Sequence, residues 1–183
     1  SLSFPDKPGP ENINPAAVVP YRDNAEHLAH ELEKLNLLIR KRMVLLKHEE
    51  AKTRAISCNP KVYVSADEVE NLLDENVSGA VPLEWATLHE KIDNLQKDID
   101  TRVTASLEGG VFLALPRLAG LFGLSDFELL VVLICLAPEL RRKYDKVYVY
   151  LQDDITRQRP SVEMVTDLLC ESEAAKWKAR RFF

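Results

Sequence analysis

The sequence predicts a mainly α-helical fold, in which a long antiparallel helical hairpin precedes a compact helical bundle with little β-structure. Two long stretches repeat apolar side chains at intervals of three and four, and the elements after Gly110 are short and end at glycine or proline. We therefore divide the chain into a proline-rich flexible arm over residues 1–22, a hairpin with an inserted short helix over residues 23–110, and a compact helical domain over residues 111–183. A chain of 183 residues can bury a sizeable core.

Half of the ten prolines lie in the arm, so we expect it to be extended or disordered, because proline lacks a backbone donor and blocks helix formation. The first long helix is predicted to begin near Asp23, which has capping-box spacing to Glu26. It runs for about thirty residues, or about 45 Å at 1.5 Å per residue. Its apolar stripe consists of Leu28, Leu32, Leu35, Ile39, Met43 and Leu46. Four cations lie mostly off that stripe: Arg40, Lys41, Arg42 and Lys47.

The periodic pattern then breaks. Residues 61–64 are consistent with a short strand, and Ser65 with Glu68 forms the capping box of a short helix. A second long helix ends at Gly109-Gly110, where glycine tolerates the left-handed conformation of helix ends. Its apolar stripe consists of Leu88, Ile92, Leu95, Ile99, Val103 and Leu107. The two long helices can pack antiparallel along their stripes, and a coiled coil with another chain is the alternative that the pattern leaves open.

The compact domain begins with the outline of a helix-turn-helix. A helix over residues 116–122 is expected to stop at Gly123, and Ser125 with Glu128 forms a capping box that starts the next helix, over residues 127–136. This second helix is almost wholly apolar, so we expect it to be buried rather than to present polar side chains to DNA bases. The sequence contains no convincing wing strands.

Three further helices complete the predicted bundle. Pro138 is expected to bend or end the preceding helix, and another helix covers residues 144–151. Ser161 is the predicted N-cap of the next helix. Residues 171–183 have the pattern of an amphipathic tail helix. We expect the two phenylalanines at its end to pack against sequence beyond this chain.

No catalytic motif occurs in the sequence. A phosphate-binding P-loop needs Gly-Lys followed by Ser or Thr, and neither glycine cluster is followed by these residues. We therefore predict a chain that is not an enzyme and holds neither a cofactor nor a metal. His27, His30 and Glu31 share one helix face, but their order differs from the zinc-binding H-E-x-x-H, so we favour a solvated helix edge over a metal site.

Charged residues of the compact domain supply the candidate contact site. Asp153 and Asp154 are adjacent, which suits helix capping or pairing with Arg157 and Arg159 better than an acid–base dyad. The densest basic run begins at Arg141, and cations of this kind are favourable at a helix C-terminus. Contact with nucleic acid or with an acidic partner is the alternative. The candidate contact residues are Arg141, Arg142, Lys143, Lys146, Arg157 and Arg159.

The composition limits the partners and the compartment. A formal net charge of −5 argues mildly against a general nucleic-acid binder. The longest apolar run, residues 129–137, is far shorter than the roughly 20 residues that a membrane span requires, so we expect no membrane contact. Three widely spaced cysteines without a disulfide framework favour the reducing cytoplasm.

Several unusual strings follow one another in the second half of the chain. They are Leu-Pro-Arg-Leu at 115–118, Phe-Gly-Leu-Ser at 122–125, Leu-Ala-Pro-Glu-Leu at 136–140 and Tyr-Leu-Gln-Asp-Asp at 150–154, with Arg159-Pro160 after the last. Together they resemble the N-terminal region of certain prokaryotic AAA-family ATPases. The resemblance covers roughly residues 22–183 and is densest over residues 113–169.

In that family a helical, winged-helix-like segment precedes the ATPase modules. The resemblance therefore implies a winged-helix-like fold for residues 111–183, leading into an ATPase region that this sequence does not contain. It implies a non-catalytic N-terminal domain that binds a protein substrate or adaptor, or regulates its own downstream ATPase modules. ATP and magnesium would belong to those modules, and the parent protein is expected to be hexameric because AAA proteins commonly form hexamers.

The contact surface expected from this resemblance is an exposed apolar groove between the helices, or the basic face around residues 141–143. The alternative function is a winged-helix nucleic-acid-binding module. That alternative requires the basic stretch 141–146 to form one positive face with Arg157 and Arg159.

Overall fold

The computed structural model describes residues 18–56 and 83–183, with the side chains of residues 18–48 and 83–183. Those ranges contain seven α-helices: α1 (Asn24–Ile56), α2 (Leu83–Glu108), α3 (Ala114–Phe122), α4 (Asp126–Leu140), α5 (Lys143–Gln152), α6 (Val162–Leu169) and α7 (Glu173–Ala179), followed by a 3-10 turn at Arg180–Phe182. No described residue forms a strand, so the prediction of a mainly α fold is confirmed. The strand and short helix expected after residue 60 lie outside the described residues.

The two long helices form the predicted antiparallel hairpin. Three polar contacts fix its direction: Arg102 Nη2 lies 2.6 Å from Glu26 Oε1, Lys34 Nζ donates to Gln96 Oε1 at 2.8 Å, and Lys41 Nζ lies 2.9 Å from His89 Nδ1. The residue number rises along α1 as it falls along α2, as an antiparallel pair requires. None of the seven described helices is both long and apolar enough to cross a membrane.

The apolar stripes are buried along most of the hairpin but not at its end. Leu35 and Ile99 are almost fully buried, and Leu32 and Ile39 are also in the core. Leu107, at the end of the predicted α2 stripe, is instead 50% exposed. This prediction is wrong because α2 continues to Glu108, level with or beyond the start of α1, where none of the described helices covers Leu107.

One hydrophobic core joins the hairpin to the later helices. Besides α2, α1 packs against α4 and α6, and α4 also packs against α5 and α6. The buried core consists of Leu32, Leu35, Ile39, Leu115, Leu133, Ile134, Ala137, Tyr144, Tyr148, Met164, Val165 and Leu168. Side chains from both predicted domains therefore share a single interior. Each Å² of apolar surface that this shared interior removes from water stabilises the contact between the two parts by about 25 cal/mol.

Ion pairs tie the middle of α1 to the last helices of the chain. Lys41 Nζ lies 2.5 Å from the carboxylate of Glu171, and Arg42 Nη2 lies 3.0 Å from that of Asp167. Lys176, on α7, reaches the second oxygen of Asp167 at 2.8 Å. The contacts of Lys41 and Arg42 join residues that are 125 or more positions apart in the chain.

The last residues of the predicted arm pack against the hairpin. Tyr21 is 1% exposed, its backbone N–H donates to Ser106 Oγ at 2.7 Å, and the guanidinium of Arg102 stacks 4.1 Å from its ring centroid. Burial raises the pKa of the Tyr21 hydroxyl to about 12. The chain therefore enters α1 from a fixed point.

Helix α4 continues through Pro138 and ends at Leu140, four residues beyond the predicted end at residue 136. Proline has no N–H, so the carbonyl of Ile134 loses the donor that residue i+4 normally supplies. The hydroxyl of Tyr148, on α5, donates to that carbonyl at 2.8 Å instead. The helix can therefore pass the proline without leaving a buried acceptor unpaired.

The serine caps predicted at Ser125 and Ser161 are confirmed, and the one predicted at Ser65 lies outside the described residues. Ser125 forms a complete capping box with Glu128 at the start of α4, and Gly123 before it adopts the left-handed conformation, with φ 65°. Ser161 Oγ accepts the N–H of Met164 at 3.2 Å and caps α6.

We expect Ser161→Ala to lower the free energy of unfolding by about 1 kcal/mol, because it leaves the Met164 N–H without its acceptor. The matched control is Ser172→Ala, which removes the corresponding cap of the short α7. We expect a smaller loss there, because the α7 cap is exposed and water can replace the serine oxygen. Urea unfolding followed by circular dichroism measures both. Equal losses would mean that the cap contributes no more in the buried α6 than in the exposed α7.

Candidate partner-binding surfaces

The His27, His30 and Glu31 cluster is not the solvated edge that we predicted. His27 and Glu31 are 1% and 7% exposed, because this turn of α1 is enclosed by α2, α3 and α4. His30 turns away from them, and its Nδ1 lies 2.7 Å from the hydroxyl of Tyr21. Among residues 18–48 and 83–183, no group of three or more His, Cys, Asp or Glu side chains is arranged to hold a metal ion.

Glu31 is instead part of a buried ion pair. Its Oε2 lies 2.6 Å from Nζ of Lys34, which is itself 5% exposed, and its Oε1 lies 3.5 Å from His27 Nε2. Burial favours the neutral carboxyl, but the contact with His27 and the charge of Lys34 outweigh it and keep the pKa of Glu31 below its ordinary value. Lys34 also donates to Gln96 Oε1 on α2, so the pair links the two long helices.

A cavity of about 280 Å³ lies beside this pair. His27 and Lys34 line one side of it, and leucines of α3 and α4 line the other. The residues that line the cavity belong to four helices, α1, α2, α3 and α4.

The adjacent aspartates at the end of α5 have the capping role predicted for them. Asp153 is the left-handed C-cap of α5, with φ 46°. Asp154 Oδ1 accepts the N–H of Thr156 at 2.8 Å, and this hydrogen bond, with that from the Thr156 hydroxyl, lowers the pKa of Asp154. Arg157 pairs with Asp154 at 3.2 Å, as expected, but Arg159 pairs with Glu139 at 2.7 Å. The prediction is wrong for Arg159 because the loop carries it back to the end of α4.

Gln152 holds the loop that joins α5 to α6. Its Nε2 lies within 3.2 Å of three backbone carbonyls, those of Tyr148, Arg157 and Arg159. Its Oε1 accepts the N–H of Ser161 at 3.2 Å. One amide side chain thus fixes a loop that forms no wing strand in the described structure.

The six candidate contact cations are all exposed. Arg141 is the C-cap of α4, as the helix-terminus interpretation predicted, whereas Lys143 begins α5 and donates to Asn36 Oδ1 at 3.3 Å. Lys146 follows one turn later on α5. Arg157 and Arg159 each form an exposed ion pair, Arg157 with Asp154 and Arg159 with Glu139 near the end of α4. Their role in contacting a partner stays a prediction.

The helix after the glycine turn is buried on one side, so the prediction that it is buried is confirmed for that side only. Leu133, Ile134 and Ala137 of α4 are at most 1% exposed, because α4 packs against α1, α5 and α6. A recognition helix must project side chains into the major groove. The exposed residues of α4 are acidic or apolar, and the helix contains no Arg, Lys, Asn or Gln that could read base edges.

A groove of about 650 Å³ lies between α1, α2 and α5. Its apolar lining consists of Ile39, Met43, Val44, Leu88 and Val147. Its polar and charged lining consists of Asn36, Arg40, Lys47, Glu84, Thr87, Lys91 and Lys143. This groove is the exposed apolar surface between helices that the sequence analysis expected, with a basic border that it did not foresee.

Exposed aromatic side chains form a second surface where α4 begins. The ring of Phe127 lies 5.3 Å from that of Phe182 and 6.4 Å from that of Phe183, between centroids. Phe182 and Phe183 are still 42% and 52% exposed, and Phe122 is 71% exposed. The two final phenylalanines thus contact Phe127 within the chain; whether they also pack against further sequence stays a prediction.

Sequence reasoning missed the roles of Lys91 and Lys34. Arg40 and Lys47 were recognised as lying off the α1 stripe, but only the packed hairpin brings Lys91 of α2 to the same groove. Lys34 lies three residues after Glu31, a spacing that brings side chains together on a helix. This spacing was the one available signal, and it does not distinguish a buried pair from an exposed one.

Comparison with known proteins gives one match. A family model for a winged helix domain, variant, matches residues 10–183. Searches of curated proteins and of solved structures gave no match. The matched description names neither an ATPase nor a nucleic acid. Because the match spans the hairpin as well as the compact domain, the chain belongs to the family of the winged helix domain, variant.

Proposed function

We propose that this winged helix domain is the non-catalytic N-terminal domain of an AAA-family ATPase, and that it binds a protein substrate or adaptor or regulates the attached ATPase modules. The groove between α1, α2 and α5 carries the proposal, because it is a preformed concave surface with an apolar floor. The ordered strings around residues 115–154 support the link to the ATPase family. We place the protein in the cytoplasm on its cysteine usage.

The proposed mechanism is binding and mechanical coupling. The shared core and the ion pairs of Lys41 and Arg42 join the hairpin to the C-terminal helices. A partner held by the hairpin would therefore pull on the end of the domain that leads to the ATPase modules. In this proposal ATP and magnesium bind to those modules, and the hexamer forms through them.

The first test is the native coding sequence beyond Phe183. We expect a P-loop and a Walker B strand within roughly the next two hundred residues, the usual size of a domain. In the full-length protein, removal of residues 1–183 should leave basal ATP hydrolysis and abolish its response to a partner. A stop codon directly after Phe183 would contradict the proposal.

A second candidate function is nucleic-acid binding, and the exposed cations over residues 141–146 favour it. It is tested by fluorescence anisotropy with a duplex of about 24 base pairs at roughly 50 and 200 mM salt. We expect no steep salt dependence, because the chain carries a net charge of −5 and the exposed residues of α4 are acidic or apolar. Strong binding that falls steeply with salt, is lost in Arg141→Glu/Lys146→Glu and is kept in Lys97→Glu would establish the second function instead.

A further inference from the structure

We infer that the groove between α1, α2 and α5 binds an acidic amphipathic helix of a partner protein, an inference that rests on the proposed partner-binding function. The floor of the groove is apolar and its border is basic. An amphipathic helix with leucine-like side chains on one face and carboxylates beside them is complementary to both parts.

The floor accounts for the apolar face of the partner. Met43, Val44 and Val147 are half-buried, and Ile39 and Leu88 lie beneath them in the core. A volume of about 650 Å³ falls within the range of roughly 300–1,000 Å³ typical of ligand sites. Such a site can take the several side chains that a helix presents at positions i, i+3 or i+4, and i+7.

The border accounts for the charge of the partner. Among the described lining residues there are four cations, Arg40 and Lys47 on α1, Lys91 on α2 and Lys143 on α5, and one carboxylate, that of Glu84. Arg40, Lys47 and Lys91 form no ion pair with any residue in the described ranges. The chain as a whole carries a net charge of −5, so this concentration of positive charge is local.

Two neighbouring cations of α1 that face away from the groove are paired. Lys41 and Arg42 point toward α6 and α7, and each pairs with a carboxylate there. Arg40 and Lys47 are exposed on the groove side. They are seven residues apart, or about 10.5 Å along the helix at 1.5 Å per residue, which matches two turns of a bound helix.

The lining favours a peptide over a nucleic acid. Single-stranded nucleic acid is bound by stacking bases on aromatic side chains, and none of the described residues that line this groove is Phe, Tyr or Trp. Duplex DNA is read by an element that projects from the protein, whereas this surface is concave. Phosphate contacts alone would leave the apolar floor exposed to water.

The test uses the 183-residue chain and a fluorescent peptide of about 18 residues, with leucines at helical i, i+3, i+4 and i+7 spacing and glutamates beside them. A second peptide replaces every glutamate by glutamine and keeps the leucines. We expect the glutamate peptide to bind at least about tenfold more tightly than the glutamine peptide, with the difference shrinking as salt is raised. Equal affinities for the two peptides would overturn the inference.

Charge-reversal variants locate the site. We expect Arg40→Glu/Lys91→Glu to weaken binding of the glutamate peptide at least about tenfold. The control is Lys97→Glu/Lys178→Glu, which reverses two exposed cations outside the groove and should change the affinity by less than about twofold. Equal losses in both variants would show that only the overall charge matters and would overturn the inference.

Backbone chemical-shift mapping separates this inference from the proposed function. The glutamate peptide should perturb the amides of Met43, Leu88 and Val147 and leave those near Phe127 unchanged. If no peptide binds but a P-loop follows Phe183, the inference about the groove fails and the ATPase proposal stands. If the peptide binds at the groove and no P-loop exists, the ATPase proposal fails and the groove assignment stands.

Discussion

Replacing Lys34 by methionine is expected to lower the free energy of unfolding by about 3–5 kcal/mol near neutral pH. The change removes one partner of a buried ion pair and leaves the carboxylate of Glu31 with only His27 beside it. It also removes the hydrogen bond to Gln96 that joins α1 to α2. An uncompensated buried charge is among the most destabilising results of a single substitution.

The loss should depend on pH in a defined direction. In the native protein the pKa of Glu31 is lowered, so the stability from its carboxylate is present above the unfolded-state pKa and is lost as pH falls through the folded-state pKa. Without the positive charge of Lys34, the effect of burial on Glu31 is no longer outweighed, so we expect the pKa of Glu31 to rise. Protonation of Glu31 then removes the unpaired charge. The difference in free energy of unfolding between the variant and the native protein should therefore become smaller as pH falls from about 7 to about 4.

Two controls make this result specific to the pair. Lys97→Met removes an exposed cation of α2 and should change the free energy of unfolding by less than about 0.5 kcal/mol. Glu31→Gln/Lys34→Met removes both charges and should recover most of the loss, because no buried charge remains. Urea denaturation at the two pH values measures all four proteins. A loss that is the same at both pH values, or that persists in the double variant, would contradict the ion-pair explanation.

Tyr148→Phe should lower the free energy of unfolding by about 1–3 kcal/mol, because it leaves the buried carbonyl of Ile134 without a donor. Pro138 cannot supply the missing N–H. The matched control is Tyr144→Phe, on the same face of α5 and also fully buried. The Tyr144 hydroxyl donates to Asn36 Oδ1, and Lys143 also donates to that oxygen at 3.3 Å. Because Asn36 Oδ1 keeps one donor, we expect Tyr144→Phe to lower the free energy of unfolding by less than about 1 kcal/mol.

A double-mutant cycle tests the explanation directly. Pro138→Ala supplies an N–H four residues after Ile134, so it should restore a donor in the Tyr148→Phe background. We expect a coupling free energy of about 1 kcal/mol or more between the two sites, measured by urea unfolding of the single and double variants. Additive losses would mean that the tyrosine hydroxyl and the proline act independently.

Local signals in the sequence predicted the helices and most of their ends. The stripes through Leu35 and Ile99 depend only on the 3.6-residue helical period, and the caps at Ser125 and Ser161 depend on side chains three residues away. The end of α4 escaped prediction because the donor that compensates for Pro138 lies ten residues further on, in another helix. A rule based on neighbouring residues cannot include that hydroxyl.

The site was less predictable because it depends on how the helices meet. His27 was assigned to a solvated edge because its neighbours on α1 do not reveal that α3 and α4 cover it. The sequence shows cations at Arg40 and Lys91, but not that antiparallel packing brings them to one groove. Likewise, the pairing of Arg159 with Glu139 requires the loop fixed by Gln152.

The ion pairs between the middle of α1 and the last helices also set an order of events during translation. Arg42 is made 125 residues before Asp167, and at about 5–20 residues per second the ribosome needs roughly 6–25 s to supply the missing carboxylate. Throughout that interval the side of α1 that faces α6 is uncovered on the nascent chain. A chaperone that acts during this interval would therefore find this side of α1 uncovered. A chain shortened before Asp167 would leave the same side uncovered.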